Sequence, residues 1–231
     1  MFTLRIILLL SVSFLMFKFY GITRGILGLI ISLVKILYSL GYMKSIKIFK
    51  RSFTKGIVFT KDYKGSYKNL QIAFNEVNTL KEKFHLDKSY KIICFFYDDD
   101  KVEESKKRSS IGLYKKQSSN DDKIDLNLED FCKDKNNGFK ITVFENSVPS
   151  LYSNWDFVNF FSMMIGIKKF YDELHDSLKN KYFRKNYKIE NEDIKVCVEL
   201  FESDSNMTFY VPLNQIDNFL IHDDFKQEKK E

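Results

Sequence analysis

The chain has 231 residues, of which 44% are hydrophobic and 16% aromatic, and it carries 37 Lys and Arg against 31 Asp and Glu, a formal charge of +6. This composition excludes a disordered or collagen-like chain and leaves room for one domain or two small ones. The charge is unevenly placed, because residues 1–55 hold nine basic residues and no acidic one, whereas residues 56–231 hold 28 basic and 31 acidic residues. The positive excess therefore belongs to the N-terminal part, and the rest is mildly acidic.

Residues 1–43 are predicted to be a membrane anchor. Ile6–Phe17 is an uncharged apolar run, and a span of about residues 4–22 reaches the roughly 20 residues that a helix needs to cross a bilayer. A cleaved signal peptide is the alternative, because a basic start and a short apolar core also fit one. No small-residue cleavage site follows, since the next residues are Lys18-Phe19-Tyr20-Gly21. We therefore expect an uncleaved signal anchor.

A second apolar segment, residues 25–43, follows a short turn at residues 21–24 and is interrupted only by Lys35. It fits a second span, an interfacial helix or a re-entrant piece. A buried pair of soluble helices is the alternative for the two apolar segments together. The number of spans, one or two, stays open at this point.

A basic juxtamembrane belt, residues 44–55, borders the anchor. Positive residues beside a span stay on the cytosolic side, so the belt predicts a cytosolic domain with either one span or a hairpin. Cys94, Cys132 and Cys197 are an odd number without a CxxC pair, which also suits a reducing compartment. The basic residues of the belt are Lys44, Lys47, Lys50, Arg51 and Lys55.

Residues 56–215 are predicted to form one domain in which a strand, helix, strand, strand unit occurs twice. Strands are expected at Gly56–Asp62, Lys91–Tyr97 and Ser109–Lys115 in the first unit, because these segments alternate or are continuously apolar. The helix between the first two strands has apolar residues three and four positions apart, which places them on one face. These residues are Leu70, Phe74, Val77, Leu80 and Phe84.

The second unit follows a polar insert at 117–125 and a short helix at 126–133. It is introduced by the strand at Gly138 and an extended segment at Pro149–Phe157, since a residue before proline avoids the helical conformation. Strands at Lys195–Phe201 and Met207–Leu213 close the unit. A long helix over Phe160–Phe183 is expected to bury Phe160, Met164, Ile167, Tyr171, Leu174, Leu178 and Tyr182.

The predicted fold class is therefore α+β. A duplicated β-α-β-β unit should give an antiparallel sheet with two long helices on one face, preceded by an N-terminal transmembrane helix. Residues 216–231 are predicted to be a short polar tail.

The strand at Lys195–Phe201 carries the candidate ligand-binding residues. Because side chains alternate along a strand, Cys197, Glu199 and Phe201 share one face, and we expect that face to point away from the helices. A carboxylate on a concave apolar face would be partly desolvated and would bind a cationic or polar ligand. A solvated Glu199 on a half-exposed strand is the alternative. Trp155 is a further candidate, either as a ligand-stacking residue or as a core residue.

Other chemistry is not indicated. Residues 98–104 are acidic but lack the ligand spacing and the turn glycine of a calcium loop, and the three histidines lie far apart in the sequence. No motif for a nucleophilic triad, a metal site, a nucleotide site or another cofactor is present. Nucleic-acid binding is not expected, because the domain is net acidic and has no basic stripe with interleaved aromatic residues.

The order of elements and several short motifs resemble the testis-expressed protein 264-like family. The motifs are Tyr97-Asp98, the Lys106, Arg108, Ile111 and Gly112 cluster, Gly138-Phe139-Lys140, Glu199-Leu200-Phe201 and Pro212-Leu213.

This resemblance covers roughly residues 50–215 and the position of the anchor. It implies an endoplasmic reticulum anchor and a cytosolic gyrase-inhibitor-like domain, the type also found as the effector-binding part of bacterial multidrug regulators. In such domains a strand Glu followed two residues later by an aromatic residue forms the polar floor of a ligand cleft, a pattern that Glu199 and Phe201 match.

The same resemblance implies a receptor or adaptor rather than an enzyme, with a role in ER-phagy, the autophagy of the endoplasmic reticulum. Family members dock on autophagy proteins through an aromatic-x-x-aliphatic motif in a long acidic tail. This chain departs from that pattern, because neither Phe219 nor Phe225 has an aliphatic residue three positions later. Trp155–Val158 and Tyr210–Leu213 match the motif, but both lie in predicted strands.

Three functional hypotheses follow. The first is an endoplasmic-reticulum-anchored, non-enzymatic adaptor whose cytosolic domain binds a protein partner or a small ligand. The second is a small-molecule carrier or hydrolase that uses Glu199 in the sheet cleft. The third is a membrane-tethered structural protein without a ligand, and it differs from the others in that side chains of the protein itself would fill the face around Glu199.

Overall fold

The computed structural model describes residues 7–8, 11–12, 14–15, 17–18, 21–99, 101–117, 125–189 and 194–228. Nine of the 19 residues of the predicted first span, residues 4–22, and most of the polar insert lie outside these residues. The chain divides into two compact units: Met1–Lys47 with Trp155–His175, and Ile48–Asn154 with Asp176–Glu231. We call them the anchor unit and the sheet unit.

The predicted α+β class is confirmed, because the strands come in consecutive pairs between the helices and pair in an antiparallel way. The helices are α1 (Ile22–Ser39), α2 (Gln71–Lys83), α3 (Leu126–Lys133), α4 (Phe160–Lys179), α5 (Lys181–Tyr187) and α6 (Asp223–Glu228). The strands are β1 (Phe49–Phe53), β2 (Gly56–Lys64), β3 (Tyr90–Phe96), β4 (Arg108–Lys116), β5 (Phe139–Phe144), β6 (Val148–Asp156), β7 (Cys197–Ser203) and β8 (Asn206–Pro212). The short helix predicted at 126–133 is confirmed, and the Asp125 carboxylate caps it by accepting from the backbone N–H of Leu128 at 3.0 Å.

The strands form one eight-stranded sheet in the order β1-β6-β8-β7-β3-β4-β2-β5. The pairings of β1 with β6, β2 with β4 and β5, β3 with β4 and β7, and β7 with β8 are antiparallel. The six central strands form two halves, β6-β8-β7 and β3-β4-β2, which meet where β7 pairs with β3. Each half has three strands, and the strand that comes last in the chain lies between the other two. Strand β1 was not predicted, because its five residues look only like part of the basic belt.

Helix α2 covers one face of the sheet. Its buried residues Ala73, Val77 and Leu80 belong to one apolar core with Phe59 and Leu113 of the sheet. The predicted apolar face of this helix is therefore confirmed.

The C-terminal segment, residues 216–225, covers the opposite face of the sheet. Phe219 and Ile221 are buried in a second core with Phe53, Phe95 and Phe144. This differs from the polar tail predicted to begin at residue 216. The segment looks polar in the sequence because its apolar residues alternate with polar ones. These apolar residues become buried because the apolar face of the sheet lies beneath them.

The long helix predicted over Phe160–Phe183 is shorter than expected, and of its predicted apolar face only Leu174 and Leu178 are buried. It ends at Lys179, because the Asn180 side chain accepts from the backbone N–H groups of Tyr182 and Phe183 and starts α5. The predicted buried residues Phe160, Met164, Tyr171 and Tyr182 are exposed instead. The buried stripe has a spacing of four residues and consists of Ser162, Gly166, Phe170, Leu174 and Leu178.

Candidate functional site

Strand β7 brings the three candidate ligand-binding residues onto one face. Glu199 is paired with Cys94 on β3 and with Phe209 on β8, and Cys197 and Phe201 lie two residues to either side. The expectation that this face points away from the helices is wrong. The Phe201 ring packs against Phe74 of α2, with ring centroids 5.6 Å apart. The side chains that alternate with the three candidate residues, Val196, Val198 and Leu200, belong to the core that the C-terminal segment covers.

The face that carries Glu199 is filled by side chains of the protein. Glu199 is only 4% exposed, and Cys94 and Cys197 beside it are also buried. A ligand can reach the carboxylate only if neighbouring side chains move. A closed face around Glu199 is what the hypothesis of a structural protein without a ligand predicts.

Burial also determines the chemistry of the thiol next to Glu199. Desolvation, and secondarily the negative charge of Glu199, raises the pKa of the Cys94 thiol well above its usual value. A buried thiol in this state stays protonated at neutral pH and is a poor nucleophile. Glu199 and Cys94 therefore do not form an activated nucleophilic pair.

Trp155, the remaining ligand-binding candidate, is a core residue of the anchor unit. Its indole nitrogen donates a hydrogen bond to the carbonyl of Ser162 at 2.8 Å. A Cβ atom at Gly41 or Gly166 would lie 2.4 Å or 2.3 Å from atoms of the ring, so the indole requires a glycine at both positions. The ring is buried, and the stacking surface that a ligand would need is occupied.

Four of the five residues of the basic belt are exposed. Lys44 and Lys47 lie in the segment without regular secondary structure between α1 and β1, and Lys50 and Arg51 lie on the edge strand β1. The Arg51 guanidinium lies over the ring of Tyr152 at 4.8 Å. Lys55, the last residue of the belt, is half-buried.

Helix α1 presents an apolar surface to its surroundings on most sides. Its exposed apolar side chains are between 41% and 73% accessible, and the positions that are buried carry small residues, Gly25, Gly28 and Ser32. The Phe17 ring lies over Gly25, where a Cβ atom would come within 2.3 Å of it. In the described residues, no helix combines the length and the apolar character that a membrane crossing requires. The exposed apolar residues of α1 are Ile22, Ile26, Leu27, Leu29, Ile30, Ile31, Leu33, Val34 and Tyr38.

A polar cluster that was not predicted from the sequence fastens the C-terminal segment to the sheet. The Lys140 ammonium donates to Asp62 and, at 3.3 Å, to the carbonyl of Ile221. The Ser110 hydroxyl donates to Asp62 at 2.8 Å, and the Tyr97 hydroxyl donates to Ser110 at 3.2 Å. Burial, with the charge of Asp62 as a smaller cause, raises the pKa of Tyr97. The cluster combines residues from β2, β4 and β5, the residue after β3 and the C-terminal segment, so no sequence motif reveals it.

His222 extends the same cluster within the C-terminal segment. Its Nδ1 atom lies 3.9 Å from Asp62 and accepts from the backbone N–H of Asp224 at 3.2 Å. Its Nε2 atom is buried without a hydrogen-bond partner among the described residues. In the part of the chain that is described, no group of three or more His, Cys, Asp or Glu has the arrangement to hold a metal ion. The hydrogen bonds of the cluster hold the C-terminal segment against the sheet.

No family model and no curated protein matches the chain. Among solved structures, an uncharacterised conserved protein from Listeria innocua has a TM-score of 0.44 and 13% identity, covering 75% of this chain and 95% of that one. A hydrolase from Listeria innocua has a TM-score of 0.42 and 12% identity, covering 75% and 94%. SAV2435 bound to tetraphenylphosphonium has a TM-score of 0.45 and 5% identity, covering 74% and 96%. At these values the similarities assign no role to a residue of this chain.

Proposed function

We propose that this protein is a non-enzymatic adaptor that attaches to the endoplasmic reticulum membrane and binds a protein partner through its cytosolic sheet unit. The exposed apolar surface of α1 is the observation that carries the proposal. Nine apolar side chains of one helix are accessible, and water would solvate such a surface at a high free-energy cost. A lipid environment removes that cost.

The charge distribution supports the proposed orientation. The exposed Lys44, Lys47, Lys50 and Arg51 follow α1 directly, and positive residues next to a membrane segment are retained in the cytosol. The three cysteines are buried thiols that form no disulfide with one another, which is compatible with a reducing compartment. Assignment to the endoplasmic reticulum rests on the family resemblance.

The closed face around Glu199 is the reason why we propose a protein partner rather than a small-molecule ligand for the sheet unit. The mirrored strand order around the β7–β3 pairing is what a duplicated β-α-β-β unit of the gyrase-inhibitor-like type would produce. The buried state of Glu199 argues against a preformed cleft for a small ligand. The hydrolase alternative requires the α2 side of the sheet to open, and no specific observation favours it.

A role in ER-phagy would need a docking motif that autophagy proteins can reach. The aromatic residues of the two motif matches, Trp155 and Tyr210, are buried, so neither match supports docking in this conformation. A role of this kind therefore rests on the resemblance and not on a described motif.

Flotation of the full-length chain in a density gradient tests the membrane part of this proposal. We expect the chain to float with the endoplasmic reticulum fraction and to stay there after alkaline carbonate treatment. A matched chain that lacks residues 1–43 should remain at the bottom of the gradient, whether it is folded or aggregated. A full-length chain that carbonate releases would contradict the proposal, and a small molecule that raises the melting temperature of the protein would favour the ligand-binding alternative.

A further inference from the structure

A second exposed apolar surface lies in the anchor unit, at the start of α4. Phe160 and Phe161 are 63% and 71% exposed, with their ring centroids 6.1 Å apart, and Val158 and Met164 beside them are also exposed. Asn159 caps the helix at this point, because its side chain accepts from the backbone N–H of Ser162 at 2.9 Å. The two phenylalanine rings are thus presented on an ordered helix start. We call Val158, Phe160, Phe161 and Met164 the apolar tip.

The apolar tip is fixed to the end of α1. The Lys169 ammonium donates to the carbonyls of Tyr42 at 2.7 Å and of Lys44 at 2.6 Å, just after α1 ends. Trp155 packs on Gly41 of the same turn and on Gly166 of α4. Gly41 has a positive φ of 89°, which a residue with a side chain would adopt only with strain. These contacts make the start of α4 and the C-terminal end of α1 one packed body.

The charge of the anchor unit is complementary to an anionic surface. Its two stretches contain eight basic and three acidic residues, a net charge of +5. One of the acidic residues, Asp172, is paired with Lys168 at 2.8 Å. Two copies of such a unit would repel each other, whereas anionic lipid headgroups attract it.

We propose that the apolar tip is a second lipid contact that enters the headgroup region of the bilayer to which α1 is bound. The proposal rests on the proposed membrane attachment and adds a residue-level contact to it. Large exposed aromatic residues are what interfacial membrane contacts use, with burial of about 5–10 Å into the headgroup and acyl boundary. A contact at two places would hold the anchor unit in one orientation to the membrane instead of letting it rotate about a single tether.

The test places an environment-sensitive fluorophore at the apolar tip of the full-length chain. Phe161→Cys is labelled with a nitrobenzoxadiazole probe, which reacts selectively because Cys94, Cys132 and Cys197 are buried. The chain is reconstituted into phosphatidylcholine vesicles with about one quarter phosphatidylserine, with or without lipids that carry a nitroxide quencher near the headgroup. Val158→Cys is a second labelling position. Tyr182→Cys, at an 81% exposed residue of the sheet unit, is the matched control.

The proposal predicts a blue-shifted emission at 161 and 158 and at least a twofold stronger quenching by the nitroxide lipids than at 182. Equal quenching at all three positions in a chain that floats with the vesicles would overturn the second contact and leave the membrane attachment intact. A blue shift that grows with protein density, without quenching by the nitroxide lipids, would show that the tip contacts a second copy of the protein. That result would also overturn the proposed lipid contact. A chain that does not float would overturn the proposed attachment itself.

Discussion

Replacement of Phe219 by Ala tests whether the C-terminal segment is part of the folded core. The Phe219 side chain is fully buried, and its ring centroid lies 4.8 Å from that of Phe144 and 5.4 Å from that of Phe53. Truncation of a buried phenylalanine to alanine costs about 3–5 kcal/mol, because transfer free energy is lost and a cavity remains. We expect a loss of about 4 kcal/mol, a large part of the roughly 5–15 kcal/mol that a domain has.

Urea unfolding of the full-length chain in a mild detergent, followed by circular dichroism, measures this loss. Tyr182→Ala is the control, because its exposed ring should change the free energy of unfolding by no more than about 0.5 kcal/mol. If Phe219→Ala also stays within about 0.5 kcal/mol of the wild type, the segment does not pack on the sheet and the reasoning about the second core fails.

Three further predictions concern the sheet unit. Gly112→Ala should destabilise the fold by at least about 3 kcal/mol in the same unfolding assay, because its Cβ would lie 1.8 Å from the backbone oxygen of Phe59. A variant that unfolds at the same urea concentration as the wild type would contradict the close approach of β4 and β2. Burial raises the pKa of Cys132 to about 12 and also raises the pKa of Cys94. The neutral thiols should therefore stabilise the fold fully below about pH 8, and this stabilisation should be lost as the pH rises above about 8.5, the pKa of a thiol in the unfolded chain. A free energy of unfolding that stays constant up to about pH 11 would contradict this. Lys140→Met should speed proteolysis within residues 216–225, because it removes the ammonium group that donates to Asp62 and to the Ile221 carbonyl. An unchanged cleavage rate would show that the segment is held without Lys140.

Much of the sheet unit can be predicted from local sequence patterns. The face of α2 has a regular apolar spacing, and the strands around it are either alternating or continuously apolar, so their positions are correct to within a few residues. The short helix α3 also lies where it was predicted, at residues 126–133. These features depend on neighbours in the sequence, which is why pattern reasoning finds them.

The orientation of β7 could not be predicted in the same way. Both of its faces are largely buried, and alternation along a strand identifies two faces without saying what covers each of them. The deciding element is the C-terminal segment, which fills the face with Val198 and Leu200. The polar cluster around Asp62 was missed for the same reason, since its members come from distant strands.

Helix α4 has apolar residues on more than one side, so its pattern fits two different buried stripes. The stripe with the larger side chains was expected in the core, but the stripe with Ser162 and Gly166 is buried, because only small residues leave room for the Trp155 indole beside Gly166. The larger residues Phe160 and Met164 are consequently exposed. Both residues belong to the proposed lipid contact.

Protease protection of sealed microsomes tests the central claim, membrane attachment with the sheet unit in the cytosol, most directly. The full-length chain would carry an epitope after Glu231 and be compared with a lumenal marker. The account predicts that the chain sediments with the microsomes and that added protease removes the epitope without detergent, while the marker survives. An epitope that is destroyed only after detergent is added, or a chain found in the soluble fraction, would contradict it.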